Sequence, residues 1–189
     1  MRFKSLTSSF ILVIILLLII NVFYIVKLCF PLRYTEWILR YSKEYDLSPY
    51  LVAAVIKTES NFKPKAKSNK GAYGLMQITS LTGEWAAKEM KIENYKEDML
   101  LEPEFNIKMG CWYIDNLKKE FKGNMDLVLA AYNGGRGNVQ KWLADLNNSK
   151  DGKNLHYIPF KETDQYVKRV KVNYNIYKFL YGKKLKVHN

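Results

Sequence analysis

The stretch VAAVIKTESNF, residues 52–62, begins as an apolar run and carries a carboxylic acid, Glu59, near its end. Val52, Val55 and Ile56 lie seven, four and three residues before Glu59, so in a helix they share its face. Ser48 followed by Pro49 reads as an N-cap and first helical position, which places Glu59 in the last turn of the predicted helix. A carboxylate on an apolar face loses hydration, and at a helix C-terminus it also meets the negative end of the dipole. Both effects raise its pKa. An acid still protonated near neutral pH can donate to a leaving oxygen. Position alone favours the plainer reading, a solvated polar end to the helix, because charged side chains are mostly exposed.

Working outward, the chain reads as helix nearly throughout. TEWILRYSKEYDL (35–47) places Trp37, Ile38, Tyr41 and Tyr45 at helical spacing. After Glu59 the pattern breaks, and Pro64, Gly71 and Gly74 mark a loop. Helical signals resume near Thr79. Pro103 opens a helix with an apolar stripe of Phe105, Met109, Trp112, Leu117 and Phe121, closed by Gly123. MDLVLAAYNGG (125–135) is a short apolar helix stopped by paired glycines, NVQKWLADL (138–146) is another, and NNSKDGKN (147–154) is a polar loop. The last helix runs from about Glu162 to Leu180 and repeats Val167, Val170, Tyr174 and Tyr177. No period-two strand and no internal repeat is evident. The pattern predicts one all-α domain.

An appendage precedes it. FILVIILLLIINVFYIV (10–26) is interrupted only by Asn21 and, continued through Leu28, Cys29 and Phe30, is long enough to span a bilayer. Arg2 and Lys4 precede it, and no small-residue cleavage pattern follows, which favours a retained anchor over a removed signal. A buried core helix would need polar residues on an outer side, and residues 11–20 have none. Lys27, Arg33 and Arg40 put positive charge on the far flank as well. A short N-terminal tail inside and a domain outside is still the preferred orientation, because long domains cross largely regardless of charge.

The 189 residues carry 30 Lys and Arg against 18 Asp and Glu. Residues 1–35 account for four basic and no acidic side chains, leaving the remainder at a net charge of +8. Such a surface suits a polyanionic neighbour or simple solubility. The lysines are scattered, without the aromatic interleaving of single-strand binders, so no nucleic-acid partner is expected. Cys29 and Cys111 are not placed to pair, and His156 and His188 have no partner at metal-ligand spacing. No metal and no cofactor is expected, and His156 lacks the G-x-S-x-G turn of a serine hydrolase. Carboxylates, tyrosines and amides are left for acid–base chemistry.

Four blocks then appear in order: Glu59-Ser60, Gly74-Leu75-Met76-Gln77, Ala131-Tyr132-Asn133, and Glu162-Thr163 with Tyr166. Together they make the chain, from about Trp37 to Tyr177, resemble the lytic transglycosylases of the soluble lytic transglycosylase (SLT) type. Their fold is lysozyme-like and related to goose-type lysozyme. The resemblance implies that Glu59 is the single catalytic acid and base. It implies that Ser68 orients the reacting sugar, that Met76 and Gln77 line the groove, that Tyr132 and Asn133 close it from the opposite side, and that Glu162 contacts sugar or braces its neighbours. The implied substrate is the peptidoglycan glycan strand, cut with formation of a 1,6-anhydromuramyl end. A lysozyme using water, or an inactive wall-binding module, stands as the alternative. The organisation expected is a cytoplasmic tail and transmembrane anchor (1–35), a catalytic domain (36–183) outside a bacterial cell membrane, and a basic tail (184–189). An anchored enzyme of this kind could also serve a cell-envelope assembly.

Overall fold

Helix α3 (Pro49–Ser60) is the axis of the domain because its sequence is apolar on all sides. Val52, Ala53, Ala54, Val55 and Ile56 are fully buried. Each fully buried Val or Ile contributes roughly 1.5–3 kcal/mol of transfer free energy. The computed structural model describes residues 2–182 and 185. Of the expected basic tail, 184–189, only Leu185 therefore falls within the described residues. The chain divides into two units, residues 1–32 and 33–189.

The first unit is helix α1 (Arg2–Cys29). Its Phe10–Cys29 segment has a mean hydropathy of 2.9 and buries nothing against protein. Asn21, the one amide in the run, donates to the Leu17 carbonyl at 2.7 Å, so its polar group is satisfied within the helix, as a hydrocarbon environment requires.

In the second unit, α2 (Thr35–Glu44), α3 and α5 (Pro103–Glu120) pack with α6 (Met125–Gly134), α7 (Arg136–Ala144) and the long α8 (Lys161–Tyr181). The most extensive helix pair is α3 with α8, in which Val170 and Tyr177 are fully buried. Ser48 occupies the N-cap of α3 with Pro49 following, as read, but its side chain makes no capping bond. Thr79 does cap α4 (Ser80–Glu89), accepting from the Thr82 amide at 3.2 Å. The α5 stripe buries Met109, Leu117 and Phe121, and the chain leaves the helix through Lys122 and Gly123, both at positive φ. A short 3-10 turn, Glu97–Leu101, precedes Pro103.

One element departs from the sequence reading. Strands β1 (Ala72–Tyr73) and β2 (Ile78–Thr79) form a small antiparallel hairpin, with Ala72 opposite Thr79 and Tyr73 opposite Ile78. Two residues per strand are too few to show an alternating pattern. Gly74, at φ 77°, allows the turn, and a side chain there would collide with the Leu100 carbonyl and with Asn106.

Candidate active site

Glu59 stands where α3 stops. Asn61 and Phe62 follow at φ 52° and 61°, which ends the helix abruptly, and Phe62 then buries itself against Tyr177 at a ring distance of 6.2 Å. Ser60, adjacent to the acid, donates to the Leu75 carbonyl at 2.7 Å and so ties the helix end to the hairpin turn. Thr58 on the other side accepts from Asn173 of α8 at 2.9 Å. The acid is thus gripped between the turn and the last helix.

The Glu59 side chain is half-buried, and its pKa is raised from 4.5 to about 7. Loss of hydration is the leading cause; the Tyr166 hydroxyl and the Arg169 charge pull the value down, and the Glu162 charge pushes it up. Tyr166 is buried, and its hydroxyl lies close enough to the Glu59 carboxyl to lower that pKa, while no other described group completes its hydrogen bonding. Burial, and next the nearby Glu59 charge, push the Tyr166 and Tyr132 phenols far above their ordinary range. Both therefore remain proton donors. They stack at 6.5 Å.

The other residues named from sequence make contacts with the 66–79 loop or with α8. Tyr132 donates to the Met76 carbonyl at 2.7 Å, joining α6 to the turn. Asn133, half-buried, accepts from Thr163 of α8 at 2.8 Å, which leaves its amide N–H groups uncommitted among the described contacts. Gln77, at φ 49°, donates to the Gly74 and Ala66 carbonyls at 2.9 and 3.2 Å and holds the loop closed. Ser68 is exposed and accepts from the Lys70 and Ala72 amides at 3.2 and 3.1 Å, leaving its own proton to give. Glu162, in the first turn of α8, is paired with Lys70 at 3.1 Å, so it braces that same loop.

Met76 is the correction. Expected on a groove wall, its side chain is fully buried against Gly110 of α5, where the missing Cβ leaves room for the thioether. What Met76 offers the site is its main chain. Its amide donates to Asn106 at 2.7 Å, and its carbonyl receives Tyr132.

Asn106 went unnoticed in the sequence. Fully buried, it also donates to the Tyr73 and Leu100 carbonyls at 2.9 and 2.8 Å and so fixes the whole 73–76 turn. An amide three residues before Met109, on a stripe that is otherwise apolar, was the available signal. Arg169 was missed too, being one lysine or arginine among many. A cavity of about 550 Å³, with apolar walls from Leu47, Leu51 and Leu129 and charged ones from Asp46, Lys118, Asp126 and Lys171, shares no residue with this cluster.

Comparison with known proteins places the chain in a family. The Transglycosylase SLT domain family matches residues 36–155. The soluble lytic murein transglycosylase of Salmonella typhimurium is 38% identical over 157 residues, covering 82% of this chain and 24% of the relative. The membrane-bound lytic murein transglycosylase C of Edwardsiella ictaluri is 33% identical over 119 residues, 57% of this chain and 32% of that protein. Among solved structures, the 70 kDa soluble lytic transglycosylase of Escherichia coli superposes with a TM-score of 0.74 at 32% identity, over 85% of this chain and 26% of that one. The same enzyme in complex with bulgecin A gives 0.74 over 87% and 27%. This chain spans about a quarter of the length of the soluble relatives it matches. With that family matching residues 36–155 and a relative 38% identical over 82% of this chain, the chain belongs to the SLT transglycosylase domain family.

Proposed function

We propose that the protein is a membrane-anchored peptidoglycan lytic transglycosylase, cleaving the β-1,4 bond between N-acetylmuramic acid and N-acetylglucosamine and leaving a 1,6-anhydromuramyl end. The observation that carries this reading is one half-buried carboxyl, Glu59, with a pKa of about 7, beside the protonated Tyr166 on which Tyr132 stacks. At neutral pH such a group is partly protonated. It can give its proton to the glycosidic oxygen and, once ionised, take one back. As charge builds at the anomeric carbon, the substrate's own acetamido oxygen stabilises it, so that no second protein carboxylate is required. Glu162, whose charge also reaches Glu59, is exposed and committed to Lys70, which suits bracing better than chemistry. The ionised Glu59 then accepts the proton of the muramyl C6 hydroxyl, whose intramolecular attack has the advantage of proximity over water. Tyr166 supports the moment of ionisation by hydrogen bonding to the carboxylate. Ser68, Gln77, Tyr132 and Asn133 would hold sugar around it, Gln77 and Tyr132 by shaping the turn.

The lytic transglycosylases among the relatives support the chemistry, and an inactive Glu-to-Gln form of the lytic transglycosylase Slt from Pseudomonas aeruginosa superposes on this chain with a TM-score of 0.70 at 31% identity. The Phe10–Cys29 helix supports a single-pass anchor, with residues 36–183 outside a bacterial cell membrane, where the glycan lies. Digestion of purified sacculi followed by mass spectrometry tests the product. Anhydro ends are expected, and hydrated reducing ends would make the enzyme a lysozyme.

A pH profile tests the role of Tyr166. Its hydroxyl holds the Glu59 pKa down, so Tyr166→Phe lets that pKa rise. The alkaline limb of kcat/KM is then expected at higher pH than in the wild type, with kcat lower by roughly 10- to 100-fold for the lost donor. An unmoved limb would remove Tyr166 from the mechanism.

A further inference from the structure

Four residues beyond Gln77, helix α4 presents an apolar face that the fold leaves open. Leu81 is 80% exposed. Trp85, one turn later on the same face, is half-buried, and the charged residues beside it, Glu84, Lys88 and Glu89, are of mixed sign. The indole is held unusually firmly for a side chain at the surface. Trp112 meets it edge-on at 5.0 Å and Tyr113 at 6.1 Å, and the Arg136 guanidinium lies over the ring at 5.4 Å. Arg136 is itself fixed by Glu120 at 3.0 Å, and Glu120 accepts a further hydrogen bond from Gln140.

The rings continue inward. Tyr113 contacts Tyr132 at 5.3 Å, and Tyr132 stacks on Tyr166, which adjoins Glu59. Trp85 is therefore the outer end of an aromatic series whose inner end is the proton-carrying group. A pyranose ring offers a C–H face that lies well against a fixed indole while its hydroxyls stay in water, and a carbohydrate cleft combines such apolar platforms with a few polar groups.

We propose that Leu81 and Trp85, with Arg136 and Glu120 holding the indole in place, form a distal saccharide subsite for an N-acetylhexosamine of the glycan strand, remote from the scissile bond. The inference rests on the reading of Glu59 given above and extends it. The enzyme would engage the strand over several sugars, and long glycans would be preferred to short ones.

The test uses the full-length protein in detergent. In the Glu59→Gln background, calorimetry with long and short β-1,4-linked N-acetylglucosamine oligosaccharides reads binding without turnover. Trp85→Ala is expected to weaken the long oligosaccharide about tenfold and to leave the short one unchanged, with Trp85→Phe close to the parent. In the active enzyme, Trp85→Ala raises KM on sacculi and spares kcat. Equal losses for both oligosaccharides, an unchanged KM, or a parent that binds no oligosaccharide each overturns the subsite. Failure of the wild type to digest sacculi at all overturns instead the reading on which it rests. The Phe variant retains the ring, so a fold weakened by alanine cannot imitate the expected pattern.

Discussion

Glu59→Gln is expected to lower sacculus digestion by about 10³-fold or more, because it removes the one group to which the proposed mechanism assigns both giving and retaking the proton. Its circular dichroism is expected to match the wild type, since the amide is isosteric. The same substitution has a second, opposite effect. Glu59 has a folded-state pKa of about 7 against 4.5 for the unfolded chain, so between those values the native state binds more protons than the unfolded state. Stability falls as pH rises through that window, and the full penalty is present above about pH 7. Gln carries no such penalty. The variant is expected to equal the wild type near pH 4 and to exceed it above pH 7 by about 3 kcal/mol, read from urea midpoints at each pH. A stability difference that is flat across pH would mean that the acid is solvated. Function here is bought with folding free energy.

Asn106→Ala is the second large effect. Three hydrogen bonds end on this buried side chain, from Met76 and to Tyr73 and Leu100, and alanine leaves all three backbone groups without their partner. A loss of about 3–5 kcal/mol is expected in chemical denaturation. Aspartate cannot rescue it, since its carboxylate would face the two carbonyls that the amide satisfied. Activity measured well below the new midpoint of unfolding is expected to fall as well, because the 73–76 turn presents the carbonyl that positions Tyr132. Full activity in the folded variant would show that the turn does not depend on Asn106.

The helices were legible in the sequence because each is long enough to display its apolar period, and because Pro49, Pro103, Gly123 and Gly135 punctuate them. Glu59 shares a helix face with Val52, Val55 and Ile56, but position alone favoured a solvated helix end, and the blocks that follow it in sequence were what singled it out. What could not be read locally was the hairpin at 72–79, whose strands are shorter than one repeat of their own pattern. Met76 was misplaced because its environment is set by Gly110, 34 residues later, and nothing near position 76 announces that vacancy. Ser68, Gln77 and Glu162 were named by resemblance as sugar contacts, and their hydrogen bonds and ion pair go to the loop and to Lys70. Such tertiary pairing, across 92 residues for Lys70 and Glu162, leaves no periodic trace.

Gly110 carries a consequence for anyone engineering this scaffold. Mid-helix glycine is an inviting target, since alanine there would ordinarily gain about 1 kcal/mol of helix propensity. Here the added methyl would strike the Met76 thioether and push it toward the turn it anchors. A thermostabilising library that treats position 110 as neutral ground would therefore disturb the 73–76 turn from behind, with the damage appearing at a residue no screen had touched.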